Sequence, residues 1–305
     1  MLTETEKYKS LQLFARQVVE GFITGLHKSP FHGFSVEFAE HRLYTNGEST
    51  RNIDWKLYAR SDKLFVKQFN EETNLRCHIV IDHSSSMAFP VDGHNNLDHP
   101  NKITFAIYAA AVLCDILHKQ RDAFGLSFVS DTIDLQTPTR SNAEHHRYLL
   151  QLLQQELSSS ASLSKSKTLI APSLHLIAEQ LHKRSLVAIF TDALLDPQQH
   201  DDLFDALRHL RHNKHEVILF HTLDNTHELK FNYPDKPTIF VDLESGEELK
   251  VQPHEVAQQY QQQMDLLCQE IKRHALQYNI DYQPCWVDRG FDNVLLPFLL
   301  HRQKM

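Results

Sequence analysis

The sequence predicts an α/β protein built on a doubly wound, mostly parallel sheet, preceded by an N-terminal helix and strand extension. Three observations carry this. From Arg76 onward, short apolar runs of strand length alternate with longer stretches of helical period, the order expected of parallel strands joined by crossover helices. The runs are apolar throughout, as strands covered on both faces must be. Two of them end in an aspartate, Asp82 and Asp192, at what would be the same edge of the sheet.

Taken in order, residues 1–20 read as a helix because Leu11, Phe14, Ala15, Val18 and Val19 recur at helical spacing. From Gly25 to Phe69 the texture is aromatic, glycine-bearing and polar, with short strand-like pieces such as FSVEF and KLFVKQF. The α/β series then opens with the strand 77–82, the mostly apolar helix 102–119, the strand 123–130 and an edge strand near 132–136. Helices at 143–157 and 172–184 lead to a strand at 185–192, a helix at 198–213 and a strand at 216–223. A hairpin-like insertion (TIFVDLESGEELKV) precedes a helix at 253–278, a strand at 281–287 and a closing helix to about 302. These divisions set residues 1–75 apart from a domain at 76–305.

Composition bounds the function. At 305 residues the chain is long enough for one large domain with an appendage, and 41% hydrophobic with 23% charged residues is ordinary for a globular protein. A net charge of -8 argues against nucleic acid, whose binders cluster Lys and Arg to neutralise phosphates. The opening MLTETEKYKS has no apolar core and no small-residue cleavage site, and Ile103–Leu117 is too short to span a bilayer, so a cytoplasmic location is expected. Cys77, Cys114, Cys268 and Cys285 form no C-x-x-C pair and read as buried thiols. His209, His212 and His215 recur at spacing three, but no Cys or carboxylate completes a zinc set, and histidine near a helix end suits the dipole.

The chemistry concentrates at the two aspartates. In a 3-2-1-4-5 strand order, the strands ending in Asp82 and Asp192 are neighbours at the switch point, where open sheets bind ligands. The chain continues from Asp82 as His83-Ser84-Ser85-Ser86, which sets two alternate hydroxyls beside the carboxylate, and Thr168 stands just before the helix opened by Pro172. Carboxylates and hydroxyls are hard donors that suit Mg2+, with Mn2+ or Ca2+ as substitutes. Too few charged ligands are present to enclose the ion, so a position stays open for an outside carboxylate. Thr137, Thr139 and Ser166 are alternatives to Thr168.

Asp82-x-Ser84-x-Ser86 with Thr168 and Asp192 resembles the metal-ion-dependent adhesion site of von Willebrand factor A domains, a Rossmann-type fold. A second resemblance rests on Gly33, Glu37-Phe38, Glu40, Arg42, Tyr44, Gly47, Arg51, Ile53-Asp54-Trp55, Ala59-Arg60 and Val66-Lys67. These are similar to the signature of a bacterial, MoxR-associated, von Willebrand factor A-like family of the type called domain of unknown function fifty-eight. The match departs at Glu48-Ser49-Thr50, where an Asp is usual after the glycine, and at Tyr58, where a small residue is usual. The resemblance implies a metal-dependent protein-binding module, not an enzyme, that serves a MoxR-type AAA+ ATPase or its client. The partner would present an Asp or Glu to the metal.

Read without that resemblance, Arg51, Asp54 and Arg60 are charges within an apolar segment, and the expectation is a network pinning the N-terminal region to the later domain. The apolar residues Phe14, Val18, Val19, Phe34, Phe38 and Trp55 likewise need covering. The rival function is a metal-dependent phosphohydrolase using the same site. However, the acid/base Asp expected two residues after the first is Ser84 here, and neither a phosphate-binding G-x-x-x-x-G-K-[ST] loop nor a G-x-S-x-G elbow occurs.

Overall fold

The structure is a computed structural model that describes residues 11–23, 36–45, 53–61, 63–71, 75–93, 99–159 and 169–289. By their contacts, residues 1–30 and 76–305 form one unit and residues 31–75 a second. The mixed α/β class and the mostly parallel central sheet are as the sequence predicts.

In the larger unit, six strands lie in the order β5-β4-β3-β6-β7-β10. They are β3 (Arg76–Asp82), β4 (Ala123–Val129), β5 (Ile133–Gln136), β6 (Leu186–Thr191), β7 (Glu216–Leu223) and β10 (Asp281–Trp286). All neighbours are parallel except β5, which returns antiparallel along β4. The chain winds from β3 outward to β4 and β5, then crosses back to add β6, β7 and β10 on the other side. The crevice at the carboxyl ends of β3 and β6 is therefore the switch point.

Side chains alternate across each strand. Val80, Val187, Ile189, Val217 and Leu219 pack into one buried cluster with Leu174 and Ile177 of α5 (Ile170–Gln180), Leu203 and Leu207 of α6 (Pro197–His212), and Ile271 and Ala275 of α7 (Pro253–Gln277). The helix α3 (Lys102–Lys119) packs on β3, β4 and β7 without joining that cluster, so it covers the other face. Every residue from Lys102 to Leu117 is buried. A helix that is apolar all round needs cover on its outer side as well. It comes from α4 (Ala143–Ser159) and from α1 (Leu11–Ile23), whose Phe14 meets the Tyr108 ring edge-on at 4.8 Å. Phe14 and Val19 are thereby buried, as expected of that stripe.

The smaller unit pairs β1 (Val36–Leu43) antiparallel with β2 (Phe65–Glu71), with a bulge between Phe38 and Glu40. Between them lies the short helix α2 (Trp55–Ser61), where only strand-like pieces were expected. Its cause is local: the Asp54 carboxylate accepts the amides of Lys56 and Leu57, each at 3.0 Å, and so caps the first turn. Of the three charges expected to form a network, Asp54 caps the helix, Arg60 is exposed, and Arg51 lies outside the described residues. Trp55 packs edge-on against Tyr58 and stays 60% exposed. Phe34 and the expected closing helix to about residue 302 also lie outside the described residues.

The insertion after β7 is a hairpin of β8 (Thr238–Val241) and β9 (Glu248–Val251), as the sequence predicts. All four cysteines are free, and only Cys268 is not fully buried.

Truncating Phe14 to Ala removes a buried ring and its edge contact, for a loss of about 3 kcal/mol in a denaturant titration. A loss under about 1 kcal/mol, the level of an ordinary surface substitution, would mean that α1 does not cover α3.

Candidate oxygen site at the switch point

The register of β3 against β6 pairs Ile81 with Phe190 and so brings Asp82 beside Thr191. Thr191 Oγ1 donates to Asp82 Oδ2 at 2.6 Å and itself accepts the Ala193 amide at 3.0 Å. Asp82 Oδ1 accepts the Ser84 amide at 3.0 Å, an Asx turn that bends the chain out of the strand. The turn aims both serines the same way, with Ser84 Oγ and Ser86 Oγ 3.0 Å apart. Ser86 in turn hydrogen-bonds the Asp192 carboxylate. Asp82, Ser84 and Asp192 have no exposed surface, whereas Ser86 is half-buried and lines a cleft of about 490 Å3. Four of the five oxygen residues picked out from the sequence are thus brought together. The fifth, Thr168, lies outside the described residues.

The sequence reading missed a lysine. Lys102 is wholly buried, and its ammonium donates to Asp192 Oδ2 at 2.6 Å and to Glu228 Oε1 at 2.5 Å. Glu228 is held by accepting the Asp224 amide at 2.7 Å, in the turn that follows β7. The segment before α3 delivers Lys102 to this place. The Asn101 side chain caps the helix by accepting the Thr104 amide at 2.9 Å, and the Lys102 amide donates to the Phe89 carbonyl at 3.0 Å. Gly93 is required here, because a Cβ on it would fall 2.5 Å from the Asn101 nitrogen.

These charges act on one another. Burial alone would lower the Lys102 pKa, but the charges of Asp192 and Glu228 outweigh it and hold the ammonium above its ordinary range. Burial would likewise raise Asp192, yet Lys102 keeps it below the ordinary range. Glu228 stays raised, since burial there exceeds what Lys102 returns. Asp82 has no such partner: burial first, and then the charge of Asp192, push it up to about 7. His221 is buried and neutral, lowered to about 4 by burial. Its Nε2 donates to the Asp192 carbonyl at 2.9 Å, so Nδ1 accepts the Tyr282 hydroxyl at 2.9 Å.

With all three carboxylates ionised, Lys102 leaves two negative charges uncompensated beside the Ser84 and Ser86 hydroxyls. That deficit and those donors fit one hard divalent cation. Among the described residues, no group of three or more His, Cys, Asp or Glu is placed to hold a metal. His209 contacts His175 at 2.9 Å, His212 is exposed and His215 is buried against Ser185, so the histidine triplet does not converge.

Two outcomes test this charge balance. Lys102→Met strands two buried carboxylates and should cost about 3–5 kcal/mol, most of it recovered in Lys102→Met/Glu228→Gln; a single variant as stable as the parent would refute the pairing. In chelator, Asp82 binds a proton more tightly folded than unfolded. Its contribution to stability is therefore full below the unfolded value near 4 and is lost as pH rises toward about 7. The parent should lose stability relative to Asp82→Asn across that window, and parallel pH profiles would contradict it.

The chain is 24% identical over 218 residues to the uncharacterised proteins Rv1480 of Mycobacterium tuberculosis H37Rv and Mb1516 of Mycobacterium bovis. The aligned part covers 71% of this chain and only 64% of each relative, so the chain spans less than two thirds of their length. Two solved structures are similar at 14% and 17% identity. They are the conserved hypothetical protein BatB from Bacteroides thetaiotaomicron, with a TM-score of 0.48, and an aerotolerance-related membrane protein from Bacteroides fragilis, with a TM-score of 0.47. Each is covered over 100% of its length by 76% of this chain. Among the described residues, no helix is long and apolar enough to cross a membrane. Residues 40–266 match the family model described as protein of unknown function DUF58, and the chain belongs to that family.

Proposed function

We propose that this chain is a von Willebrand factor A-like protein-binding module whose switch-point site takes a divalent cation, Mg2+ foremost. The observation that carries this is the convergence of the Ser84 and Ser86 hydroxyls on the carboxylates of Asp82 and Asp192. Asp82, Ser84 and Ser86 would hold the ion. Lys102 already occupies Asp192 Oδ2, so Asp192 would act through Ser86 or water, with Thr168 as a further ligand. The ion supplies a local positive charge on an otherwise acidic protein, which welcomes an Asp or Glu of a partner at that point and nowhere else nearby. By its resemblance, the partner is a MoxR-type AAA+ ATPase or its client, met in the cytoplasm.

Binding is favoured over phosphohydrolysis because a nucleophilic carboxylate must reach its substrate. Asp82 is fully buried, and both its oxygens already accept hydrogen bonds. The ammonium of Lys102 favours one second reading, a site completed by its own lysine that takes no metal.

Calorimetric titration with Mg2+ and Mn2+ separates these readings. One site is expected for the parent and none for Asp82→Ala; a parent that binds no ion supports the lysine-filled reading and ends the metal-dependent one. With a purified MoxR-type ATPase, capture should require the metal and be lost in Ser84→Ala/Ser86→Ala with circular dichroism unchanged. Capture that survives both treatments would place the docking surface elsewhere.

A further inference from the structure

Beside the oxygen site lies a second cavity, of about 620 Å3, built mostly by residues outside that site, with Glu228 bordering both. Four rings line it. Phe231 stacks on Phe240 at 5.5 Å and lies 4.5 Å from Tyr260, while Tyr233 meets Phe240 edge-on at 4.9 Å. All four rings are only half-buried. The β8–β9 hairpin forms one wall, and on it Val241 and Leu249 are 52% and 63% exposed.

The backbone is arranged to present these rings. Asn225–Leu229 forms a π-helical turn, a rare form that is frequent at functional sites. Two residues later Phe231 adopts φ 49°, a left-handed conformation that a bulky side chain enters only at a cost.

The cavity is also acidic. Glu247 and Glu248 are exposed at it, Asp242 adds a third carboxylate, the buried Glu228 is already paired with Lys102, and no Lys or Arg of the described residues lines it. The negative field is felt by Tyr233, whose phenol is pushed up to about 12 by burial and then by the charges of Glu228 and Asp224. A neutral apolar occupant would desolvate these carboxylates with nothing in return. A cation would meet both the ring faces and the carboxylates, and a planar guanidinium stacks on rings while pairing with carboxylates at its edge.

We propose that this aromatic and acidic pocket receives an arginine side chain of a partner protein. It shares Phe89, Leu194, Glu228 and Asp242 with the cleft that leads to Ser86, so a chain docked at the oxygen site passes over it. The pocket thereby extends the protein-binding reading to a second point of recognition of opposite sign, and its own chemistry needs no metal.

The test uses the full chain with isotope-labelled Phe and Tyr rings, titrated by NMR with N-acetyl-arginine amide, with its citrulline counterpart and with phosphocholine. The arginine probe should shift the Phe240 and Tyr260 signals saturably, with a Kd on the order of millimolar, and the uncharged citrulline probe should bind about tenfold more weakly. Because replacing the rings risks the local fold, the exposed pair Glu247→Gln/Glu248→Gln provides the main variant, expected to weaken arginine binding several-fold. The shifts should persist in chelator and in Asp82→Ala, which separates failure of this pocket from failure of the metal site. Equal binding of citrulline, tighter binding of phosphocholine, or no saturable shift would each overturn the proposal.

Discussion

A lysine ammonium with no exposed surface is the constraint on which the carboxyl edge of the sheet depends. Burying an unpaired charge costs several kcal/mol, so Lys102 can sit there only with Asp192 and Glu228 against it. Those three residues come from the start of α3, the end of β6 and the turn after β7. One buried ion group therefore joins three connections at this edge. The sheet order supplies the meeting place, since β3, β6 and β7 are successive neighbours.

The same group sets the chemistry of what surrounds it. Lys102 answers Asp192, holds Glu228 in part, and leaves Asp82 with no cation near. Thr191 and the Ser84 amide fix the Asp82 carboxylate, and His221 fixes the backbone of Asp192. Of the four oxygen residues, Ser86 alone lines the cleft, beside Lys102 and Glu228, so whatever the site binds is approached from that side. His83, next in the chain to Asp82, turns away to Glu156 at 2.8 Å and Asp134 at 3.3 Å. Burial would lower its pKa, but those two carboxylates raise it, and it serves to tie the β3 turn to β5 and α4.

Much of this was legible in the sequence because it is written in local pattern. Strand and helix periods located the sheet elements from Arg76 to Trp286, and the stretch TIFVDLESGEELKV read as a hairpin-like insertion. Asp82, Ser84, Ser86 and Asp192 were legible because strand ends and alternate spacing are local facts. Lys102 and Glu228 were not, since their pairing spans 126 residues and no short-range pattern encodes it. A faint signal existed: a lysine at the first position of a helix opposes the helix dipole and calls for a reason. The helix at Trp55–Ser61 was missed because its cap, Asp54, reads equally as a member of a charge network. Thr168 stays an expectation from the resemblance.

The central claim is that the two uncompensated charges at the switch point are completed by a divalent cation. Anomalous diffraction at the manganese edge, from crystals of the protein grown with Mn2+, tests it most directly. The account predicts one peak bounded by Asp82, Ser84 and Ser86, with the Lys102 ammonium still on Asp192 and Glu228. A crystal saturated with Mn2+ that shows no peak there, or a peak elsewhere with these oxygens bonded only to one another, would contradict it.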